Sequence, residues 1–142
     1  MAAFALVVAR YYDDLAARLE AGARAVLEEA GEEVEAFAVD GAFELAPAAS
    51  YVVGTGRFAG VVCLGAVIRG ETDHYEHVCA AAAYGIEKVA IESGVPVTFG
   101  VLTVENYEQA LARSGGDKRD SGADAARAAL ALARVRSQLG LS

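Results

Sequence analysis

Apolar residues in this chain form short continuous runs that alternate with stretches of helical spacing. The runs predict four β-strands, the first of them buried on both faces: Phe4–Val8, Val34–Val39, Gly60–Arg69 and Val95–Thr103. The helical spacing predicts five helices: Asp13–Ala30, Phe43–Val53, a long helix with an apolar stripe from Tyr75 to Val89, Asn106–Arg113 and Ser121–Leu139. This alternation predicts an α/β protein in which helices cover both faces of a parallel sheet.

Several residues mark helix ends. Glycines follow three of the helical stretches, at Gly31, Gly94 and Gly140, and glycine in this place is typical of a helix end. Ser121 with Asp124 resembles a capping box, which predicts that Ser121 is the N-cap of the last helix. No internal repeat or linker interrupts the chain, so residues 1–142 are predicted to form a single domain.

Charge and composition exclude several classes of protein. Twenty acidic and twelve basic side chains leave a net charge of −8, which argues against a nucleic-acid partner because phosphate backbones are held by many cations. An apolar share of 55% excludes disorder. The two cysteines provide neither a disulfide framework nor a CxxC zinc motif. We recognise no signal peptide and no membrane-spanning run, so we expect a soluble, cytoplasmic protein.

In a parallel α/β sheet, ligands bind beyond the carboxyl ends of the strands, near helix N-termini. The richest segment of this kind is Gly65–Tyr75, which ends a strand, allows a tight turn at Gly70 and offers Thr72 or Asp73 as a helix cap. The first amides of the following helix can hold a phosphate or a carboxylate. His74 lies in that first turn, where the helix dipole disfavours the imidazolium ion. It is therefore either a proton acceptor or a capping or surface histidine.

Other chemical signals are weaker. His74 and His77 are three residues apart but have no third ligand at a recognisable metal spacing, which favours a solvated face over a metal site. Cys63 and Cys79 fall on a strand and on the buried helical stripe, which predicts small core residues. The triplet Gly54–Gly56 precedes a strand, so it predicts a helix end and a turn and not a dinucleotide loop.

Arg113 ends its predicted helix and leads into a glycine-containing loop with Lys118 and Arg119. Guanidinium groups bind phosphate in a bidentate way, so this basic cluster is a candidate anion clamp. The other interpretation is a solvated loop whose cations stabilise the preceding helix C-terminus. Spacing alone leaves both interpretations open.

Three motifs follow one another along the chain: GAFEL at Gly41–Leu45, GAVIRGETDHYEHV at Gly65–Val78 and FGVLTVENYEQALAR at Phe99–Arg113. With these motifs the chain resembles the 6,7-dimethyl-8-ribityllumazine synthase family of riboflavin biosynthesis, from about Val7 to Leu139. The resemblance implies a three-layer α/β sandwich with a flavodoxin-like, four-stranded parallel sheet of order 2-1-3-4 that is flanked by helices. It also implies a homopentamer with active sites between neighbouring subunits.

The implied activity is that of a transferase that condenses 5-amino-6-(D-ribitylamino)uracil with 3,4-dihydroxy-2-butanone 4-phosphate. An imine forms, phosphate leaves, and the second ring closes with loss of water to give 6,7-dimethyl-8-ribityllumazine. The resemblance implies no cofactor and no metal ion. It implies riboflavin synthase as a possible protein partner, and neither nucleic acid nor a membrane.

The resemblance also assigns roles to individual residues. Proton transfer is assigned to His74, and stacking on the pyrimidine to Tyr11. The residues assigned to the ribityl-pyrimidine site are Ala42, Phe43, Glu44, Ala66, Val67 and Ile68. Glu71 and Thr72 are assigned to the phosphate site, mainly through their backbone amides. The neighbouring subunit contributes Phe99 and Arg113, with Arg113 on the phosphate.

The chain departs from the family pattern at several positions. The family's Phe-Asn after the first strand is Tyr11-Tyr12 here, and a lysine that commonly reaches the pyrimidine is replaced by Ser121, with Lys118 or Arg119 as substitutes. These departures motivate an alternative, a catalytically weak paralogue that binds lumazine or flavin for storage or sensing. A third interpretation, a flavodoxin-like sugar-phosphate enzyme, requires the motif matches to be fortuitous. Because few residues precede the first strand, we expect a pentamer or a pair of pentamers and not a large shell.

Overall fold

The computed structural model describes residues 3–141. Within this range four strands lie at Ala3–Ala9 (β1), Val34–Val39 (β2), Phe58–Ile68 (β3) and Val97–Val104 (β4). Five α-helices lie in the same range, at Asp13–Glu29 (α1), Leu45–Gly54 (α2), His74–Ser93 (α3), Tyr107–Arg113 (α4) and Ser121–Gln138 (α5), and a short 3-10 helix, Ala42–Glu44, precedes α2. Every predicted strand and helix is confirmed, and the ends differ by at most two residues.

The described strands form one parallel sheet in the order β2-β1-β3-β4. Val7 of β1 pairs with Phe37 of β2 on one side and with Cys63 of β3 on the other, and Cys63 pairs with Phe99 of β4. β1 and β3 are therefore central, whereas β2 and β4 are edge strands. The expected strand order 2-1-3-4 is confirmed.

The continuous apolar run of β1 serves two cores, one on each face of the sheet. Phe4, Leu6 and Val8 belong to the core that α1 and α5 cover. Ala5 and Val7 belong to the core that α2 and α3 cover. All five side chains are at most 2% exposed, and burial of a large apolar side chain contributes about 1.5–3 kcal/mol. The two cores hold a helical layer on each face, which confirms the three-layer sandwich.

α1 and α5 pack closely against each other near Gly122. A Cβ on Gly122 would overlap the carbonyl oxygen of Leu19, so the two helices approach too closely there for any larger residue.

Asp120 is the N-cap of α5, because its carboxylate accepts a hydrogen bond of 3.1 Å from the amide of Ala123. The prediction of Ser121 as N-cap is wrong. Ser121 is already the first residue of the helix, and the extended backbone that a cap requires occurs at Asp120.

The other predicted helix ends are confirmed. Gly31, Gly94 and Gly140 follow α1, α3 and α5, and all three have positive φ angles. α2 ends at Gly54, and the turn that leads into β3 has a positive φ at Gly56. Among the helices of residues 3–141, none has the length and apolar character needed to cross a membrane.

Candidate active site

A cleft of about 480 Å³ opens where β1, β2 and β3 end. It lies between the turn before α1, the 3-10 helix after β2, the end of β3 and the first turns of α3. Its walls combine apolar side chains with a few polar groups, as small-molecule sites commonly do. The lining residues are Tyr11, Tyr12, Gly41, Ala42, Phe43, Glu44, Ala66, Val67, Ile68, Gly70, Thr72, His74, Tyr75 and Val78.

Two tyrosines after β1 form one wall of the cleft. The rings of Tyr11 and Tyr12 meet edge to face, with centroids 4.9 Å apart and planes at 84°. Tyr11 is 75% exposed, so a flat ligand has access to its ring, whereas Tyr12 is half-buried and packs against the core under α1 and α5. Burial and, second, the neighbouring Tyr11 raise the pKa of the Tyr12 phenol. The Tyr12 hydroxyl is therefore protonated at neutral pH and can donate a hydrogen bond.

The 3-10 helix after β2 is held by two reciprocal hydrogen bonds. The amide of Gly41 donates to Oε1 of Glu44 over 2.9 Å, and the amide of Glu44 donates to the carbonyl of Gly41 over 3.1 Å. Ala42 is buried in the core under α2 and α3, which leaves Phe43 exposed at the cleft. The sequence GAFE thus places an aromatic ring and a fixed carboxylate next to each other.

β3 extends beyond β1 at the cleft. The pairing of β1 with β3 ends at Val8 and Leu64, whereas β3 pairs with β4 as far as Ile68 and Val104. Among the described strands, none pairs with the β1 side of β3 beyond Leu64. Peptide groups around Ala66 on that side are therefore available to bind the polar edge of a ligand.

The start of α3 and the loop before it bring His74 and Thr72 to the cleft. The hydroxyl of Thr72 accepts a hydrogen bond of 3.2 Å from the amide of His74. Asp73 makes no side-chain cap bond, and its carboxylate lies 3.4 Å from Nε2 of His77. Of the two predicted cap residues, Asp73 occupies the N-cap position without a side-chain cap bond, whereas Thr72, one residue earlier, supplies the side-chain hydrogen bond at this helix start. Glu71 is exposed and is not among the lining residues.

Gly70 leaves space beside the backbone. Its φ lies outside the left-handed region, so the turn after β3 does not depend on the conformational freedom of glycine. A Cβ at Gly70 would meet no atom within 4 Å. The missing side chain leaves the peptide backbone of this loop open to close approach by a ligand.

Phe99 and Arg113 are not among the residues that line the cleft of their own chain. Phe99, on β4, is 40% exposed and lines a separate groove of about 530 Å³ together with Arg119 and Ser121. Arg113 is the last residue of α4, and its Nη1 donates to the carbonyl of Gln109 over 3.1 Å. Within residues 3–141 of one chain, neither side chain lines the cleft.

The two cysteines are thiols of the core and not candidate nucleophiles. Cys63 is fully buried, and burial raises its pKa to about 12. Cys79 is half-buried on α3 and packs against the core under α2 and α3, and burial raises its pKa as well. Since the thiolate is the reactive form, burial lowers the reactivity of both thiols. Within residues 3–141, no three His, Cys, Asp or Glu side chains gather as a metal ion would require.

Comparison with known proteins shows the family of the chain. The family model described as 6,7-dimethyl-8-ribityllumazine synthase matches residues 1–137. The chain belongs to this family. A relative of that name from Erythrobacter litoralis is 44% identical over 99% of both chains. Others are 46% identical in Novosphingobium aromaticivorans, over 97% of this chain and 99% of the relative, and 45% identical in Halorhodospira halophila, over 97% and 90%.

Five lining residues were not among the predicted site residues: Tyr12, Gly41, Gly70, Tyr75 and Val78. Two of them lie on α3. Tyr75 was assigned to the apolar stripe of α3 and Val78 had no assigned role, yet both line the cleft. They follow His74 at i+1 and i+4, and the i+4 position lies on the same helix face. The spacing from His74 was therefore a usable signal for Val78. Tyr75 gave no such signal. It packs against the core and lines the cleft at the same time, so its place in the apolar stripe indicated only the core.

Proposed function

We propose that this protein is a transferase of riboflavin biosynthesis that condenses 5-amino-6-(D-ribitylamino)uracil with 3,4-dihydroxy-2-butanone 4-phosphate. The products are 6,7-dimethyl-8-ribityllumazine, phosphate and water. Membership of the family, matched over residues 1–137, supports the reaction. The observation that carries the assignment to a site is the single cleft in which Tyr11, Phe43, Ala66, Thr72 and His74 come together.

In this proposal the pyrimidine stacks on the exposed ring of Tyr11. Stacking of a base on an aromatic side chain is worth about 1–3 kcal/mol. The unpaired edge of β3 at Ala66, Val67 and Ile68 supplies peptide donors and acceptors to the polar edge of the pyrimidine. The ribityl chain lies along the 3-10 helix, Ala42–Glu44, where the Glu44 carboxylate accepts hydrogen bonds from its hydroxyls.

The phosphate of the four-carbon substrate binds at the loop before α3. Backbone amides at Glu71 and Thr72 and the positive end of the α3 dipole attract an anion. The open space at Gly70 lets the phosphate approach this backbone. A phosphate held here places the ketone of the same substrate within the cleft, next to His74.

His74 moves protons in the proposed mechanism. Imine formation needs a proton on the departing carbonyl oxygen and removes protons from the attacking amine, and the loss of phosphate needs a proton taken from carbon. One imidazole beside the carbon chain can serve these steps in turn, and such acid–base help contributes about 10²–10⁴-fold in rate. Holding both substrates in one cleft contributes up to about 7–11 kcal/mol through positioning.

The proposed site is completed by a neighbouring subunit in a pentamer or a pair of pentamers. Phe99 and Arg113 are the residues that the neighbour contributes, with the Arg113 guanidinium on the phosphate. Neither side chain lines the cleft of its own chain, which supports this arrangement, as does the exposure of the Phe99 ring on an edge strand. Arg119, in the groove beside Phe99, and Lys118 are the candidates for the cation that replaces the family's lysine.

The proposed location is the cytoplasm, with riboflavin synthase as the partner that uses the product. Cys63 and Cys79 are both free thiols, which suits a reducing compartment.

The direct test is to mix the purified protein with both substrates and to follow lumazine formation by fluorescence. We expect a rate well above that of the same mixture without protein. A rate equal to the uncatalysed background contradicts the proposal. If lumazine or riboflavin still binds under those conditions, the binding paralogue is the correct interpretation.

A further inference from the structure

Arg69 is the first residue after β3 and begins the loop that leads to His74. Its amide donates a hydrogen bond of 2.9 Å to the carbonyl of Val104, which continues the pairing of β3 with β4 by one residue. The backbone of Arg69 is therefore fixed to the sheet, although its side chain lies at the surface.

The guanidinium of Arg69 joins two other segments of the chain. Its Nε lies 3.0 Å from a carboxylate oxygen of Glu105, which follows β4. Its Nη1 lies 3.1 Å from Oε1 of Glu76 in the first turn of α3. Its Cζ lies 4.4 Å from the ring centroid of Tyr75, so the guanidinium covers the ring. One side chain thus connects the end of β4 to the start of α3.

These contacts act together on the first turn of α3. A single exposed ion pair holds a side chain only weakly. A guanidinium, however, is a planar fork that makes two directed ion pairs and stacks on a ring at the same time, which an ammonium group does not do. Tyr75 and Glu76 directly follow His74, and Tyr75 itself lines the cleft. The direction of this turn decides where His74 and the loop amides point.

We infer that Arg69 is a positioning residue for the condensation: through Glu76, Glu105 and Tyr75 it holds the first turn of α3, and with it His74 and the phosphate-binding loop, in the working orientation. The inference rests on the proposed function. It predicts that substitution of Arg69 weakens binding of the four-carbon phosphate substrate and lowers the turnover rate. The affinity for the pyrimidine, which binds at Tyr11 and the edge of β3, should change little.

The test compares Arg69→Met with a matched arginine at the other end of the sheet. Arg57 forms an ion pair with Glu35 at 3.1 Å and, like Arg69, covers an aromatic ring, that of Phe58, at 4.7 Å. We expect Arg69→Met to lower kcat/KM for the butanone phosphate roughly ten- to hundredfold. The KM for the pyrimidine changes less than about twofold. Arg57→Met, in contrast, leaves both values unchanged. Equal kinetics for wild type and Arg69→Met, or equal losses for both substrates, overturn the inference.

A second pair of variants distinguishes positioning from direct contact with the phosphate. If Arg69 bound the phosphate itself, removal of a competing carboxylate in Glu105→Gln or Glu76→Gln would lower the KM of the butanone phosphate. A positioning role predicts the opposite sign, because each change loosens one of the contacts that hold the turn. It also predicts no rescue in Arg69→Lys, which keeps the charge but loses the planar fork. A lowered KM in the glutamine variants overturns the inference.

Hydrogen exchange of the substrate-free protein separates this inference from the proposed function. We expect Arg69→Met to speed exchange of the hydrogen-bonded amides of His74, Glu76 and His77, whereas Arg57→Met does not. If the wild type fails to form lumazine, the proposed reaction is wrong, and exchange still shows whether Arg69 holds the turn. Unchanged exchange of these three amides overturns the inference whatever the activity.

Discussion

Tyr11 and His74 share one cleft but serve different parts of the proposed reaction. Tyr11 offers an exposed ring to the pyrimidine, whereas His74 begins α3 beside the loop assigned to the phosphate. Substitutions at the two residues should therefore change different kinetic constants. A second histidine of α3 provides the control for His74, and a conservative substitution provides the control for Tyr11.

His74→Ala is expected to slow turnover, because it removes the group that moves protons. The expected loss in kcat is roughly 10²–10⁴-fold, with product affinity nearly unchanged. His77→Ala is the control, since His77 is also an exposed histidine of α3 but contacts Asp73 and does not line the cleft. Steady-state kinetics and a product-binding titration measure both effects. Equal kcat values for the two variants would remove His74 from the mechanism.

Tyr11→Ala is expected to raise the KM of the pyrimidine roughly ten- to hundredfold, which corresponds to the loss of about 1–3 kcal/mol of stacking. Tyr11→Phe keeps the aromatic face and should stay close to wild type. The KM of the butanone phosphate should change little in either variant. If the phenylalanine variant loses as much as the alanine variant, the hydroxyl of Tyr11 and not its ring binds the substrate.

The buried thiol of Cys63 should make the free energy of unfolding depend on pH in a specific way. Burial raises its folded pKa to about 12, whereas an unfolded thiol ionises near pH 8.5–9. Below that range both states are protonated and the thiol has no effect. Above it the unfolded state binds fewer protons, so the free energy of unfolding falls by about 1.4 kcal/mol per pH unit until about pH 12.

The comparison of wild type with Cys63→Ala isolates this effect from the other groups that ionise in alkali. Denaturant unfolding at about pH 8 and about pH 10, under reducing conditions, should show an extra loss of about 1–2 kcal/mol in the wild type. Parallel losses in both proteins would mean that the Cys63 thiol reaches solvent in the folded state.

At the scale of elements, periodicity predicted the strands and helices closely because each element buries a regular set of positions. The apolar run of β1 is one example, since Phe4 and Ala5 face different cores. The strand order and the site assignments depended on the three motifs and not on periodicity. The cap of α5 was missed because it depends on the backbone angles of one residue, Asp120, and spacing carries no information on them.

Asp120 and Ser121 provide a test of this cap. Asp120→Ala is expected to lower the free energy of unfolding by about 1 kcal/mol, because the amide of Ala123 loses its acceptor. Ser121→Ala should change it by less than about 0.5 kcal/mol. Denaturant unfolding of the two variants measures both values. A larger loss at Ser121 than at Asp120 would restore the capping box that the sequence predicted.

The candidate site could be predicted only in part from the sequence. The motifs named Ala42, Phe43 and Thr72, and these residues do line the cleft. Tyr75 was missed because one side chain serves both the core and the cleft, which an apolar stripe does not distinguish. The assembly of the lining residues depends on how far β3 extends beyond β1, which is a property of strand register.

At the scale of the whole molecule, the central claim is that the cleft of one subunit is completed by its neighbour. The described chain places His74 in the cleft and Arg113 outside it. Two variants that are each expected to be strongly impaired, His74→Ala and Arg113→Ala, can therefore restore active sites when they assemble together. A site with both side chains intact forms wherever an Arg113→Ala subunit contributes His74 and its neighbour contributes Arg113.

The measurement is lumazine formation by oligomers co-expressed from the two variants and purified through a tag on each. Random mixing predicts roughly a quarter of wild-type activity per site. Co-expression of His74→Ala with Thr72→Ala is the control, because both residues line the cleft of one chain and no intact site can form. Activity near a quarter in the first mixture and none beyond the single variants in the control supports the shared site. A first mixture no more active than its two components contradicts it.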